Sequence, residues 1–343
     1  MKSLHVRLAF GLALLGGVSL AGCSASGGEG PVGPVTPGSN TYLNPNYPPA
    51  PVTVQPGERV VAITYDDGPV VSPFTFNQAI AGQAAPTNAE ADRIRVALVD
   101  TVMAGLIRYK APMTLFVVGN YLKPEHGANA GELMRRWRDY GVTLASHTMS
   151  HKDLNTVSMA VATNEIEQDD DLIRPYLALY NQPLTYFRFP LLSEGATIGR
   201  RDSLRAVLAR NGLKNATVTI SNRDFDYGNL YADAEVKGDK AAMAQIGREY
   251  MAHITDAITY WDNVGTTLAG RPVRQVMLLH VNRINRDYGD DILAYFQQKG
   301  YRFITLDQAY EDPIYTEPDC YVSDAGVSWL EHVRQTRLGN CGK

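Results

Sequence analysis

The sequence predicts an α/β protein whose parallel strands curl into a distorted seven-stranded (β/α) barrel. Short β-rich runs alternate strictly with longer helical stretches, an order that favours parallel pairing of the strands. The runs are also almost continuously apolar, as expected for a sheet that is covered on both faces. Seven strand–helix units favour closure into a barrel over an open doubly wound sheet, although periodicity alone does not separate the two.

The predicted strands and helices follow from this alternation. The strands are predicted at 60–65, 113–118, 142–145, 186–189, 217–220, 275–279 and 303–306. The helices between and after them are predicted at 91–109, 131–140, 156–180, 201–211, 240–261 and 289–299.

The chain carries 32 lysines and arginines against 36 aspartates and glutamates, a formal net charge of -4. This balance lacks the basic footprint of a nucleic-acid-binding domain, so nucleic acid is not an expected partner.

The first 22 residues are predicted to be a signal peptide. Lys2 and Arg7 precede an apolar run from Leu8 to Leu20 that is too short to span a bilayer. The run ends in Leu-Ala-Gly-Cys, which resembles a bacterial lipobox in which the acylated cysteine, here Cys23, becomes the first residue. We therefore expect a lipid-anchored protein of the cell envelope, at the outer membrane or on the periplasmic or extracellular face. A plain secretory signal with an incidental cysteine is the alternative.

Residues 23–57 are predicted to form a flexible tether, because Gly, Pro, Ser and Asn dominate and few large apolar groups offset the entropy of ordering. Residues 58–343 are predicted to form one domain with a C-terminal extension from about residue 312. Cys320 and Cys341 lie in this extension, and an exported chain permits a disulfide between them. A metal site built on the pair is the weaker alternative, because no histidine or third cysteine stands beside them at zinc-finger spacing.

Polar side chains recur at the ends of the predicted strands. They are Asp66 and Asp67 after the first strand, His147 after the third, Arg188 in the fourth, Asp224 after the fifth and His280 after the sixth. The carboxyl ends of the strands of a parallel barrel all open on one face. These five separated segments are therefore expected to converge on one pocket.

Two imidazoles and one carboxylate are available as metal ligands. His147 and His151 stand four residues apart, on one side of a helical turn, although such pairs also occur on solvated surfaces and in structural hydrogen bonds. Asp66 and Asp67 repel each other unless a cation or distinct hydrogen bonds separate their roles, and a simple Asp-Asp-Gly-Pro turn is the alternative. A three-ligand set leaves one position open, as in catalytic zinc sites. The second carboxylate is then available as a general base and His280 as a general acid.

Five segments, in this order, resemble the signature of the polysaccharide deacetylases with a NodB-homology domain, carbohydrate esterase family four. They are TYDDGP at 64–69, HTMSH at 147–151, RFP at 188–190, DF at 224–225 and LLH at 278–280. One such segment is a weak signal, whereas all five in order are specific. The resemblance implies a barrel-like deacetylase domain over residues 58–343 that acts on an acetylated polysaccharide or oligosaccharide.

The resemblance also implies a role for each matching residue. Asp67, His147 and His151 would hold a divalent metal, usually zinc, with Co²⁺ or Ni²⁺ as further candidates. Asp66 would be the catalytic base and His280 the catalytic acid. The metal would lower the pKa of the attacking water, and acetate and a glucosamine unit would result.

Three further residues take supporting roles by the same resemblance. Arg188 would hold Asp66, and Asp224 would in turn hold Arg188, which fixes the base; a simple buried ion pair is the alternative. The backbone N–H of Leu191 would stabilise the oxyanion. The implied substrate is an N-acetylated polymer such as peptidoglycan or a chitin-like chain. An O-acetyl esterase acting on xylan-like polymers and a catalytically silent glycan-binding lipoprotein are the alternatives.

The chain departs from the family pattern in several places. Leu191 stands where relatives commonly carry an aromatic residue, and the Asp226–Tyr227 step competes with Asp224 for the match. A polar stretch at 72–88 lengthens the chain near the presumed pocket. Within the predicted domain, three histidines lie outside the motifs and are expected to be structural or solvated: His126, His253 and His332.

Overall fold

The computed structural model describes residues 48–70, 87–123 and 129–342. Within them, seven parallel strands form one sheet that curls into a distorted half-barrel. The strands are β1 (Val60–Gly68), β2 (Met113–Val117), β3 (Thr143–Ser146), β4 (Tyr186–Phe187), β5 (Lys214–Asn215), β6 (Gln275–His280) and β7 (Arg302–Phe303). They pair in the order β5-β4-β3-β2-β1-β6, and β7 pairs with the start of β1. The predicted fold class is confirmed.

Nine α-helices surround the sheet within the same residues. They are α1 (Asn88–Arg108), α2 (Ala130–Asp139), α3 (Met159–Ala178), α4 (Ile198–Arg210), α5 (Asp224–Val236), α6 (Lys240–Ala269), α7 (Arg283–Gln298), α8 (Leu306–Ala309) and α9 (Trp329–Arg337). Short polar side chains begin several of them: Thr87 and Glu90 form a capping box on α1, and Ser158 caps α3. The sequence did not predict α5, and α6 continues past the predicted end at residue 261.

The segment after β5 bridges β4 and β6. The N–H of Ala216 donates to the carbonyl of Phe187, the last residue of β4, at 2.7 Å. The N–H of Leu278, in β6, donates to the carbonyl of Ile220 at 3.3 Å. The predicted strand at 217–220 is therefore wrong in its bounds. This stretch crosses from one neighbour to the other, and Ile220 forms only an isolated bridge with β6.

Two other predicted boundaries are also wrong. The tether was expected to reach residue 57, but Val52 packs against the apolar cluster inside the sheet, and its carbonyl accepts a 2.6 Å hydrogen bond from Nε2 of Gln308. The last strand ends before the predicted residue 306, because Thr305 and Gln308 form a capping box that begins α8.

Two apolar layers fix the position of β1, which carries the first candidate residues. The larger layer lies between the sheet and the helices and includes Ile63 and Tyr65. The smaller one fills the inside of the sheet and includes Val60 and Ala62. Because side chains alternate along a strand, Asp66 shares the inner face with Val60 and Ala62 and stands at its carboxyl end.

The C-terminal extension is folded onto the barrel. It runs from a 3₁₀ turn at Pro313–Thr316 to α9, where Trp329 packs in an apolar cluster with Val273. Cys320 and Cys341 form a disulfide with their Cα atoms 4.7 Å apart, as the sequence predicts. The extension is therefore an integral part of the domain.

Some sequence predictions fall outside the described residues. These are the signal peptide at 1–22, Cys23, the tether up to residue 47, most of the polar stretch at 72–88, and His126. Among the helices that the structure describes, none combines the length and apolarity needed to cross a bilayer.

Candidate active site

The carboxyl ends of the strands meet at one face of the barrel, and the predicted site residues stand there. Asp66 and Asp67 lie near the end of β1, His147 directly follows β3, Arg188 directly follows β4, and His280 is the last residue of β6. Asp66 and His280 are register partners on adjacent strands. The structure thus brings together the separated segments as the sequence predicts.

Asp67, His147 and His151 form a compact group, called here the ligand group. Oδ1 of Asp67 is 3.2 Å from Nε2 of His151 and 3.6 Å from Nε2 of His147. One ligand atom from each of the three residues lies within 4.8 Å of the others. Ligand atoms of a tetrahedral zinc site lie about 3.3 Å apart, given zinc–ligand distances near 2 Å. The spacing of the group therefore suits a small divalent cation.

The surroundings of the ligand group leave its atoms available to a cation. Nδ1 of His147 lies 2.8 Å from the carbonyl oxygen of Arg188; a carbonyl only accepts, so Nδ1 carries the proton and Nε2 presents its lone pair. Oδ1 of Asp67 is buried and accepts no hydrogen bond from the described residues, which is costly for a carboxylate oxygen without a cation. Burial, followed by repulsion from His151, lowers the pKa of His147 to about 3 and keeps it neutral. The residues present fit a divalent metal.

The ligand group is built on strained backbone. Asp67, Thr148 and His151 have φ angles of 60°, 71° and 55°, a region that costs a residue other than glycine on the order of 1 kcal/mol or more. The turn after β2 supports this backbone, since the N–H of Asn120 donates to the carbonyl of Met149 at 2.7 Å. Such strain persists only where neighbouring contacts determine the conformation.

Two carboxylates on α3 hold the histidine segment from behind. Oδ2 of Asp169 accepts from the hydroxyl of Ser146 at 2.5 Å and from the N–H of His147 at 3.0 Å. Glu165 accepts from the N–H and the hydroxyl of Ser150, both at 2.7 Å. Both carboxylates are buried. Sequence reasoning missed them, although acidic residues four positions apart on the apolar face of a helix are a recognisable signal.

Asp66 forms a buried ion pair with Arg188, as the sequence predicts. Nη1 of Arg188 donates to Oδ1 of Asp66 at 2.6 Å and to Oγ1 of Thr64 at 2.8 Å. The guanidinium also lies 3.9 Å from the ring centre of Phe116. The other carboxylate oxygen, Oδ2, lies 3.8 Å from Nε2 of His147 and faces the ligand group.

His280 pairs with Asp224. Its Nδ1 lies 2.7 Å from Oδ1 of Asp224, its backbone N–H donates to Oδ2 at 2.7 Å, and Nδ2 of Asn285 donates to the same oxygen at 2.8 Å. The prediction that Asp224 holds Arg188 is wrong, because Asp224 lies behind the imidazole and the carboxylate partner of Arg188 is Asp66. A position at a strand end predicts that a residue reaches the pocket, not which neighbour it pairs with.

The charge state of His280 follows from this pairing. Burial lowers its pKa, but the charge and hydrogen bond of Asp224, with smaller contributions from Asp67 and Asp66, raise the pKa to about 10. The imidazole is therefore protonated at neutral pH. Because Nδ1 is bonded to Asp224, Nε2 is the remaining proton donor. A cation held by Asp67 would repel the imidazolium and lower this pKa.

Leu191 lies in a 3₁₀ turn, Pro190–Leu192, beyond β4. Leu191 and Leu192 both have φ of 57°. The N–H groups of the next two residues donate to the carbonyls of Phe189 and Pro190, each at 3.0 Å. Because Pro190 has no N–H, the N–H of Leu191 is the first donor of the turn, and it has no hydrogen-bond partner within the turn. A backbone N–H that donates to an oxyanion must be free of other partners in this way. Leu191 as a whole is 61% exposed.

The remaining candidates are resolved by their contacts. His253 accepts from the N–H of Arg223 at 3.1 Å, and His332 lies 3.3 Å from a buried carboxylate, so both are structural, as predicted. Asp226 pairs with Arg223 at 2.5 Å, and both side chains are exposed. Of the two competing aspartates, Asp224 is the one that contacts His280.

The strand ends of this parallel half-barrel carry the ligand group, the Asp66–Arg188 pair and the His280–Asp224 pair. Together they define a barrel protein with a candidate metal centre. Residues 53–216 match the family model described as polysaccharide deacetylase. The matched residues belong to this family, as the sequence motifs predict.

Individual relatives cover parts of the chain. It is 31% identical over 110 residues to a chitooligosaccharide deacetylase of Bradyrhizobium sp. (strain ANU 289), covering 32% of this chain and 36% of that protein. It is 23% identical over 261 residues to a peptidoglycan-N-acetylmuramic acid deacetylase of Bacillus subtilis (strain 168), covering 76% and 40%. The chain thus spans about two fifths of the length of these relatives. A solved polysaccharide deacetylase from Bacillus cereus aligns with a TM-score of 0.47 at 20% identity, covering 72% of this chain and 92% of that one.

Proposed function

We propose that the protein is a metal-dependent hydrolase that removes N-acetyl groups from an envelope or extracellular polysaccharide, either peptidoglycan or a chitin-like polymer of N-acetylglucosamine. The observation that carries the proposal is the placement of the Asp66 carboxylate and the His280 imidazolium beside the ligand group. Membership of the polysaccharide deacetylase family supports acetyl hydrolysis. The two named relatives, which act on chitooligosaccharide and peptidoglycan, support the substrate class.

The ligand group, Asp67, His147 and His151, would hold the divalent cation, and zinc matches its two imidazoles and one carboxylate. A cation bound there lowers the pKa of a water molecule and polarises a carbonyl group. Asp66 would accept the proton of the attacking water. Asp66 is suited to the role of base because Arg188 holds its Oδ1 in place, while its Oδ2 remains facing the ligand group.

The remaining steps use two hydrogen-bond donors, the backbone N–H of Leu191 and the protonated imidazole of His280. The N–H of Leu191 would donate to the oxyanion that forms when water adds to the acetyl carbonyl. His280 would then donate its Nε2 proton to the nitrogen of the departing sugar amine. The carbon–nitrogen bond breaks, and acetate and a free amine on the sugar are released.

Acetate release from N-acetylglucosamine oligomers by the purified protein tests the proposal. We expect activity that is lost on chelation and restored by Zn²⁺. Acetylxylan measured in parallel distinguishes an O-acetyl esterase, which would release acetate from xylan but not from the oligomers. Glycan binding without acetate release from any acetylated glycan, in protein shown to hold metal, would refute hydrolysis and support a silent glycan-binding protein.

We also propose that Cys23 carries a lipid that anchors the domain in the cell envelope. The support is the apolar run that ends in Leu-Ala-Gly-Cys, followed by a Gly- and Ser-rich segment. Radioactive palmitate should label the wild-type protein and not Cys23→Ser. Equal labelling of both proteins would refute this assignment.

A further inference from the structure

The C-terminal extension lies directly against the Leu191 turn, defined here as residues 190–195. A β-carbon built on Gly326 would stand 1.7 Å from the carbonyl oxygen of Leu191 and 2.7 Å from the carbonyl carbons of Leu191 and Leu192. No side chain fits in this space, so glycine is required here for the close approach of two backbones. The extension thus contacts the residue that the proposed function assigns as oxyanion donor.

Charged side chains tie the same two segments together at a second point. Nη2 of Arg205, on α4, donates to Glu194 of the Leu191 turn at 2.8 Å and to Oδ2 of Asp319 of the extension at 2.6 Å. Nη1 of Arg201 donates to the carbonyl of Asp319 at 2.9 Å. The Glu194 and Asp319 side chains are 9% and 4% exposed. Ion pairs with so little solvent access are geometrically restrictive.

The extension is itself fixed at both ends of its contact with the turn. Before Gly326, Cys320 is joined by its disulfide to the residues that follow α9. After Gly326, the hydroxyl of Ser328 and the N–H of Trp329 each donate at 2.7 Å, to the carbonyls of Thr219 and Val218 in the barrel wall. A segment anchored on both sides can hold a neighbouring turn in place.

The Leu191 turn needs such support. Leu191 and Leu192 are consecutive residues at φ of 57°, a conformation that residues with side chains adopt only when their surroundings impose it. We propose that the C-terminal extension, through Gly326 and the Arg205 link, holds the Leu191 turn in the conformation that presents the Leu191 N–H to the substrate carbonyl. The extension is then a positioning element of the active site. This inference rests on the proposed function.

Gly326→Ala tests the proposal, with Gly199→Ala as control. Gly199 lies on α4, near the turn, and a β-carbon there meets no atom within 4 Å. For Gly326→Ala we expect kcat for acetate release to fall about 10²-fold, the loss of one oxyanion donor, with KM and zinc affinity unchanged. Hydrogen exchange at the Leu192 and Ser193 amides should accelerate, because their bonds to Phe189 and Pro190 weaken. Gly199→Ala should match the wild type in all four measurements.

Arg205→Ala is the second variant if Gly326→Ala does not fold. It removes the link between Glu194 and Asp319, and kcat should fall about 10-fold with faster exchange at the same two amides. The inference would be overturned if the folded variants had the kcat and the hydrogen exchange of the wild type. It would also be overturned if kcat fell together with an equal loss of zinc affinity. If the wild-type protein releases no acetate, the proposed function fails. In that case, hydrogen exchange at the Leu192 and Ser193 amides that is unchanged in the variants would still refute the proposal that the extension holds the Leu191 turn.

Discussion

The proposed function gives the candidate site a base side, Asp66 with Arg188, and an acid side, His280 with Asp224, and each side is a buried ion pair. On the base side the carboxylate faces the ligand group, and the guanidinium is fully buried behind it. On the acid side the imidazolium keeps a side-chain exposure of 13%, and the carboxylate is fully buried. In each pair, the member with the greater exposure is the one to which the proposed function assigns proton exchange. The comparison indicates that the two pairs are turned in opposite directions, so that a carboxylate faces the site on one side and an imidazole on the other.

The strongest test of the base side is Asp66→Asn. The amide keeps the shape of the carboxylate but cannot accept a proton, so we expect turnover to fall on the order of 10⁴-fold. Zinc affinity should stay at the wild-type value, because Asp66 is outside the ligand group. Asp226→Asn, a surface carboxylate paired with Arg223, is the control and should leave both quantities unchanged. Loss of zinc from Asp66→Asn would contradict the separation of base from ligand.

Arg188→Met tests how strongly the base side depends on its buried cation. The substitution leaves the Asp66 carboxylate buried without a partner, and we expect the free energy of unfolding to fall by about 3–5 kcal/mol. Arg210→Met is the control, since Arg210 and Glu167 form an exposed pair, which contributes about 1 kcal/mol or less. Urea denaturation of both variants gives the comparison. Similar losses in the two would show that the base side gains nothing from burial.

Asp224→Asn tests the acid side. Burial lowers the pKa of His280 and Asp224 raises it, so removal of the Asp224 charge should lower that pKa. His280 would then lose its proton at a lower pH, and the alkaline limb of the kcat profile should move toward acid while the acid limb stays in place. We expect kcat near neutral pH to fall about 10²-fold. An unmoved alkaline limb would mean that His280 is not the acid.

Asp169→Ala tests the support of the ligand group from α3. It removes the acceptor for the Ser146 hydroxyl and the His147 N–H, so His147 should be less well oriented and zinc affinity should fall about 10-fold. Glu167→Ala, on the same helix but paired with Arg210 on the surface, is the control. Competition with a chromophoric chelator measures both affinities. Equal affinities would limit Asp169 to a role in folding.

The sequence predicts which residues reach the site better than it predicts their partners. The strand ends carry Asp66, His147 and His280 because parallel strands open on one face, and the motif order identifies the ligand group. The pairing of Asp224 with His280 was missed, because it depends on where α5 begins relative to β6. That geometry depends on packing between distant segments and has no local pattern.

Boundaries and supports were the least predictable parts. The bounds of β5 were wrong because the chain there changes neighbours rather than forming one regular ladder. The Pro-rich composition of its segment places Val52 in the predicted tether, whereas its partial burial depends on the cluster inside the sheet. The contact between Gly326 and Leu191 joins residues far apart in sequence, so no local signal could indicate it.

The central claim is that Asp67, His147 and His151 hold one divalent cation between the base and acid sides. A crystal of the zinc-loaded protein, measured at the zinc absorption edge, tests it most directly. We predict a single anomalous peak about 2.0–2.2 Å from Oδ1 of Asp67 and from Nε2 of His147 and His151. A zinc-loaded crystal whose peak lies elsewhere, or whose three ligand atoms surround no peak, would contradict the claim.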